Sequence, residues 1–327
     1  MVRTTPQRPV DLAEEFPELR AAATTTVRLH PRPGTPTAGD SSVGGPLLWP
    51  ADEPWPTCTE PHDEEFFPVR RPETVRRARA VLAAAAARAA AGGSAELTPE
   101  ERAAMPEWDA SEPYELARAP IALVPVAQVY RRDVPGLGGP RDADLLQVLW
   151  CPLVHPDDDY GPRVEMRWRR SADVGEVLAE PPQPVVVLDD HLPDPCVLHP
   201  EQVVEYPDQD LLPEELRARA EELRERTGYS YRDLSNADGW KVGGLMSLAL
   251  GGGPFPVACS TCGADTSLVL TAATGEWDLQ EPTWRPVEET DDTWANPTGV
   301  VISRGYNLYV LACDRSWDHR ATTLISA

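Results

Sequence analysis

The sequence predicts an α+β fold that consists mainly of antiparallel β-strands and contains two related β-rich, zinc-ribbon-like units. Two observations support this prediction. The chain of 327 residues contains 36 prolines and 22 glycines, and this composition favours short strands and long loops over long helices. In addition, one pattern of glycine, proline and cysteine occurs in both halves of the chain, in the same order.

The repeated pattern begins with Val-Gly-Gly and ends at a cysteine. Its first copy comprises Val43-Gly44-Gly45, Pro54-Trp55-Pro56 and Cys58, and its second copy comprises Val242-Gly243-Gly244, Pro254-Phe255-Pro256 and Cys259. Further along each copy, a strand-like apolar run ends at another cysteine, Cys151 or Cys313. We interpret the pattern as two related units, and the alternative is chance similarity in a chain rich in proline and glycine.

The first unit is predicted at residues 40–170, after an N-terminal arm at 1–39. An Ala/Arg/Glu-rich insert at 71–110 predicts a hairpin of two helices, from Pro72 to about Ala91 and from about Pro99 to Met105, with a capping-box pattern at its second start. Cys58 and Cys151 lie 93 positions apart, whereas Cys259 and Cys313 lie 54 apart. An insert of 39 residues would therefore bring the two units to one length.

The second unit is predicted at residues 238–327 and follows a connector at 171–237. The connector contains a predicted helix at 213–227. Pro213 stands at its start, acidic residues lie early and arginines late, and Gly228 follows its last residue. This helix is expected to join the two units.

The cysteines of both units have neighbours that are suited to metal binding. The first set is Cys58, His62, Cys151 and His155, and the second is Cys259, Cys262, Cys313 and His319. Zinc favours tetrahedral sets of thiolate and imidazole ligands, so the sequence predicts two structural zinc ions. The alternative is that these cysteines are reduced residues of the core and that His62 lies in a solvated loop.

The charge of the chain restricts its partners. It has 30 basic and 53 acidic side chains, giving a formal charge of −23, which argues against binding to nucleic acid or to an anionic membrane. We expect a neutral or basic protein partner. The N-terminus has no apolar leader segment and no run of about 20 apolar residues occurs, so we expect a cytoplasmic location with reduced or metal-bound cysteines.

Two further groups of residues are candidates for function. The candidate binding residues are Trp240, Lys241, Trp277, Trp284 and Trp294. The tryptophans could form an aromatic binding surface or could cover a core that lacks large helices. The acidic runs at 157–159 and 189–191 could serve a metal-dependent hydrolase, although solvated acidic loops are the more frequent case in so acidic a chain.

Several short motifs resemble the YwqG-like family of uncharacterised bacterial proteins. They are Gly44-Gly45-Pro46 followed by Trp49-Pro50, then Val124-Pro125-Val126-Ala127-Gln128, then Trp240-Lys241-Val242-Gly243-Gly244 before a cysteine pair. The resemblance extends from about residue 40 to the end and implies a compact α+β fold with antiparallel strands. The resemblance implies no established activity. It leaves open a role as an immunity protein associated with a toxin system. Ser247-Leu248-Ala249 stands where the family often has a glutamine, so no role is carried over for that residue.

The sequence contains no complete catalytic constellation. We therefore expect a non-catalytic, zinc-stabilised binding protein, with an immunity-type inhibitor of a basic protein as one form of that function. The alternative from a different class is the hydrolase that uses an acidic loop.

Overall fold

A computed structural model of the chain describes residues 2–62, 67–107, 111–118, 120–158, 160–248, 257–290, 292 and 295–326. The helices within these residues are Leu12–Glu15 (α1), Pro72–Ala90 (α2), Pro99–Ala104 (α3), Glu214–Thr227 (α4) and Tyr231–Ser235 (α5). The strands of the first half are Thr24–Arg28 (β1), Arg32–Pro33 (β2), Ser42–Val43 (β3), Thr57–Cys58 (β4), Ile121–Ala122 (β5), Val124–Tyr130 (β6), Leu145–Trp150 (β7) and Val164–Arg169 (β8). The strands of the second half are Cys196–Val197 (β9), Glu201–Glu205 (β10), Lys241–Gly243 (β11), Thr266–Ala273 (β12), Asn307–Cys313 (β13) and Thr322–Ser326 (β14).

The strands form two six-stranded sheets in which all neighbours are antiparallel, as the predicted α+β class requires. One sheet has the order β2-β9-β3-β6-β7-β8, and the other has the order β10-β1-β11-β12-β13-β14. The two sheets match strand for strand in this order. The matching strands β6 and β12 each have a register shift, between Pro125 and Ala127 in β6 and between Leu268 and Leu270 in β12. The short strands β4 and β5 form a separate pair.

A two-stranded ribbon connects the sheets. Residues 24–33 lie antiparallel to residues 196–205, and one register runs from the Thr24–Glu205 pair to the Pro33–Cys196 pair. Each segment contains the sequence Leu-His-Pro at its centre, at 29–31 and at 198–200. Each half of the chain thereby places one strand in the other half's sheet, because β1 pairs with β11 and β9 pairs with β3. The sheets consequently include strands from the segments predicted as the arm at 1–39 and the connector at 171–237.

Charged groups are buried where the ribbon meets the second sheet. The His30 ring is fully buried, and its two nitrogens lie 3.3 Å from carboxylate oxygens of Glu201 and Glu276. Arg28 is also buried and donates hydrogen bonds to the backbone carbonyls of Trp284 and Glu276. Because buried charges are costly without partners, these contacts are needed for the ribbon to pack here.

The main core contains side chains of both sheets. Val126 and Val148 of the first sheet belong to the same buried cluster as Leu270 and Val310 of the second. Trp150 and Trp240 are part of this cluster as well. Strands β7 and β13 are buried on both faces, which explains the continuous apolar runs that end at the repeated cysteines.

The helices start and end close to the residues that the sequence indicates. Helix α2 begins at Pro72, and α3 begins after Thr98, whose side chain forms a capping box with Glu101. Helix α4 ends at Gly228, which has a left-handed backbone with φ of +83°. No helix in the described ranges combines the length and the apolar character that a membrane span requires.

Candidate metal centres

The first candidate metal centre lies where strand β4 meets the end of β7. Cys58 is the last residue of β4, Cys151 directly follows β7, and His155 lies in the turn that comes next. The Cys58 Sγ lies 3.8 Å from His155 Nε2, and the Cys151 Sγ lies 3.4 Å from His62 Nε2. All four donor atoms lie within 4.8 Å of one another. The four residues that the sequence indicates are therefore brought together.

Backbone contacts orient the ligands of this first centre. His62 Nδ1 lies 2.7 Å from the carbonyl oxygen of Ala117, so this nitrogen carries the proton and Nε2 is free to bind a metal ion. The backbone amide of His155 donates a hydrogen bond to the carbonyl of Gly161 at 3.0 Å. Ala117 was not indicated by the sequence, because a backbone carbonyl leaves no mark on the residue type.

The two thiols of the first centre have opposite pKa shifts. A hydrogen bond from Cys151, joined by contacts with His155 and His62, lowers the pKa of Cys58 to about 2 although burial opposes the shift. Burial and the neighbouring Cys58 raise the pKa of Cys151 above its ordinary value. These shifts favour the thiolate at Cys58, and thiolate is the form of cysteine that ligates metals.

The second candidate metal centre combines a tight turn with the end of strand β13. Cys259 and Cys262 lie in a turn in which the Cys259 amide bonds the carbonyl of Ala264 at 2.8 Å and the Gly263 amide bonds the carbonyl of Cys259 at 2.8 Å. Gly263 has φ of +70°, a conformation that favours glycine. Cys313 ends β13, and His319 lies in the loop before β14. The four donor atoms again lie within 4.8 Å of one another.

Backbone amides favour thiolates at this second centre. Burial would raise the pKa of Cys259, but the amides of Thr261 and Cys262 lower it to about 6. The pKa of Cys313 is likewise lowered, against the effect of burial, by the amides of Arg315 and Ser316. Contacts with Cys313 and Cys259 raise the pKa of His319.

Two donor-to-donor distances in each centre lie close to those expected for tetrahedral coordination. Ligand bonds of about 2.3 Å to sulfur and about 2.05 Å to nitrogen place two sulfurs about 3.8 Å apart and a sulfur and a nitrogen about 3.6 Å apart. In the second centre the Cys262 and Cys313 sulfurs are separated by 3.6 Å, and Cys259 Sγ lies 3.6 Å from His319 Nδ1. Two Cys/His clusters, each able to hold a metal ion, are therefore present.

Burial distinguishes the two centres. In the first, Cys58, Cys151 and His155 are buried and His62 is half-buried. In the second, Cys262 is exposed and His319 is half-buried. Solvent can therefore reach the second centre more readily than the first.

The acidic runs do not assemble a catalytic pair among the described residues. Asp158 accepts hydrogen bonds from Arg163 at 3.3 Å and from Arg320 at 2.5 Å, and thus joins the loops of the two metal centres. Asp189 pairs with Arg70 at 2.8 Å, and burial lowers the pKa of His191 to about 4. Asp159 lies outside the described residues.

The candidate binding residues near the second unit are buried. Trp240, Trp277 and Trp284 are at most 3% exposed, which supports the alternative that they cover the core and contradicts an exposed aromatic surface. Their burial has a physical reason, since the Trp284 indole donates to the Asp233 carbonyl at 3.0 Å and the Arg8 guanidinium covers its ring. Lys241 is buried against Glu205. Trp294 lies outside the described residues.

Two comparisons with known proteins gave no match. No protein-family model matches the chain, and no curated protein matches it. The function must therefore be inferred from the geometry of the chain itself.

Proposed function

We propose that both clusters bind zinc and that the two ions have a structural role. The observation that supports this proposal is that four cysteine and histidine donor atoms lie within 4.8 Å of one another in each of the two centres. The mixture of sulfur and nitrogen donors suits zinc and is unsuited to magnesium or calcium, which prefer oxygen. Four protein ligands leave no coordination position for a water molecule or a substrate, so the ions would stabilise loops and perform no catalysis.

The positions of the ligands explain what the ions would stabilise. In the first centre two ligands come from the end of β4 and the segment after it, and in the second two come from the turn before β12. In each centre the third ligand comes at the end of a long buried strand, β7 or β13. The fourth ligand follows in the next loop. Bound zinc would thus fasten two loops to each sheet, and binding on the order of 10 kcal/mol would be coupled to folding.

Elemental analysis of the purified protein tests the zinc proposal directly. We expect close to two zinc ions per chain, one after Cys58→Ser or Cys259→Ser, and none after both substitutions. Cys196→Ser is the matched control, because Cys196 is a buried cysteine outside both clusters. Less than half a zinc ion per chain in the unaltered protein, or two ions in either single variant, would contradict the proposal.

We further propose that the chain is a non-catalytic cytoplasmic interaction protein with a neutral or basic protein partner. Its charge of −23 supports this proposal, because a basic partner would be attracted over long distances. The ion-paired state of Asp158 and Asp189 also favours binding over hydrolysis. In its narrower form, the proposal is that the chain belongs to the YwqG-like family and inhibits a toxin as an immunity-type protein.

Affinity capture tests the proposed interaction. The zinc-loaded protein is immobilised, exposed to native lysate at low salt and washed with rising sodium chloride. We expect a basic protein to be retained and then released by salt, whereas serum albumin of similar acidity should retain none of it. Capture of acidic proteins, or retention that salt does not alter, would contradict the proposed partner class. Turnover on a hydrolase panel that is abolished by Asp158→Ala would overturn the non-catalytic proposal.

A further inference from the structure

A cleft lies between the two metal centres. Its volume is about 940 Å³, and strand β8 runs along it. Residues Thr57–Glu60, which include the ligand Cys58, line one side, and residues Trp317–Ala321, which include the ligand His319, line another. Loops that carry ligands of both metal centres therefore shape one cavity.

Strand β8 presents a free edge to this cleft. It pairs with β7, and no other described strand lies on its far side. The Cys151 amide bonds the Arg163 carbonyl, and the pairing then continues in register with Trp150 opposite Val164. In antiparallel pairing this places the backbone groups of Arg163, Glu165 and Arg167 toward β7. The amide and carbonyl groups of Val164, Met166 and Trp168 consequently point into the cleft.

The charge of the cleft differs from that of the chain as a whole. Five arginines and five acidic residues line it, whereas the whole chain has 30 basic and 53 acidic side chains. The side chains of Arg167, Arg170 and Arg320 are 39%, 59% and 41% exposed, so they are accessible despite their contacts with nearby carboxylates. The cleft lining thus carries no net formal charge within a chain of −23, so an acidic segment that displaces the carboxylates paired with these arginines meets less repulsion here than over the chain as a whole.

The inner side of the cleft is apolar. Trp168 packs edge-on against Trp317 with ring centroids 5.4 Å apart, and Met166 lies two residues before Trp168 on the same face of β8. The alternate residues Glu165, Arg167 and Arg169 lie on the other face. A segment placed beside β8 would therefore meet apolar groups on one face and arginines on the other.

We propose that this cleft binds an extended acidic segment of the otherwise neutral or basic partner protein, and that this segment adds to the first sheet as a strand beside β8. Backbone hydrogen bonds to Val164, Met166 and Trp168 supply the pairing, and alternate side chains of the segment supply selectivity. Carboxylates opposite Arg167 and near Arg170 complement the charge of the cleft. The inference rests on the proposed function, since bound zinc would hold the loops at both sides of the cleft.

A synthetic peptide tests this proposal. The probe is a fluorescein-labelled, acetylated and amidated peptide of eight residues in which glutamate and valine alternate, and its binding to the full chain is followed by fluorescence anisotropy. We expect saturable binding that weakens about tenfold when lysine replaces glutamate. Two versions of the peptide are also made, one N-methylated at the odd-numbered backbone amides and the other at the even-numbered ones. Only one of them should lose binding, because only one of these two sets of amides faces β8.

Variants of the protein locate the binding. Met166→Pro removes an amide that points into the cleft while the bonds to β7 stay, and Arg167→Glu reverses a charge beside it. Each is expected to weaken binding about tenfold. Arg77→Glu on the exposed side of α2 is the matched control and should leave binding unchanged. If Met166→Pro prevents folding, the N-methylated peptides still report on backbone pairing.

Three results would overturn the docking proposal. They are the absence of saturable binding up to about 1 mM peptide, equal binding of both N-methylated peptides, and unchanged binding by Arg167→Glu and Met166→Pro. Displacement of the probe by a mononucleotide together with insensitivity to N-methylation would assign the cleft to a phosphorylated small molecule instead. Zinc content is measured on every sample, so that a two-zinc protein without peptide binding refutes the docking proposal and leaves the proposed zinc role intact.

Discussion

Alanine substitution of the two equivalent glycines, Gly44 and Gly243, is expected to have unequal effects on stability. Both follow the valine of the repeated Val-Gly-Gly motif, and their φ angles are +64° and +65°. A Cβ at position 44 would lie 2.6 Å from the carbonyl oxygen of Asp194, whereas a Cβ at position 243 would have no atom within 4 Å. The pair therefore separates backbone strain, which is common to both positions, from close packing, which is not.

The magnitude follows from these two contributions. A left-handed alanine costs about 1–2 kcal/mol at either position. At position 44 the backbone at Asp194 must also move, although the Asp194 amide is fixed by a 2.7 Å bond to the Thr298 carbonyl. Overpacking of this kind costs about 1–3 kcal/mol more. We therefore expect Gly243→Ala to lose about 1–2 kcal/mol of unfolding free energy and Gly44→Ala about 2–5 kcal/mol.

Urea unfolding of the two zinc-loaded variants measures the difference. The midpoints are compared at constant m-value, with the zinc content determined on the same samples. Equal losses within about 0.5 kcal/mol would refute the reasoning, because they would show that the contact between Gly44 and the backbone at Asp194 imposes no constraint.

Three further predictions concern buried charge and metal. Lys241→Met should lower the unfolding free energy by about 3 kcal/mol, since it leaves the buried Glu205 carboxylate without its ammonium partner, and Glu205→Gln added to it should restore part of the loss in urea unfolding. Burial raises the pKa of Asp238 to about 6, against the opposing charge of Arg28, so its ionisation destabilises the fold as the pH rises from about 4 to 6. The unfolding free energy of Asp238→Asn relative to the unaltered protein should accordingly be higher at pH 7.5 than at pH 5. An equal difference at both pH values would contradict this prediction. A chelator should remove zinc in two phases, with the faster phase absent from Cys262→Ser, because Cys262 is the exposed ligand.

The Cys/His clusters and the helices could be predicted from the sequence because their signals are local or repeated. Helix α4 has a proline before its first turn and a glycine after its last, and both act within a few residues. Each Cys/His set combines a short-range pair with a second pair at the end of an apolar run. When two such sets occur at matching places, their convergence follows from the shared strand order.

The ribbon and the buried tryptophans could not be predicted in the same way. Pairing of residues 24–33 with 196–205 spans more than half of the chain, and its signal is the short repeated Leu-His-Pro. Nothing in the sequence states that Trp284 lies beneath the Arg8 guanidinium or that Asp158 reaches Arg320. These contacts depend on how the elements pack, whereas composition and spacing report on single segments.

The exchange of strands within the ribbon determines how the chain could be divided. If it were cut in the segment between β8 and β9, the N-terminal fragment would carry β1 without β11, and the C-terminal fragment would carry β9 without β3. Each fragment would then expose an unfilled position in its own sheet together with a strand that fits the other fragment. The two fragments should therefore behave as an obligate heterodimer that assembles on mixing, and neither should act as an autonomous domain.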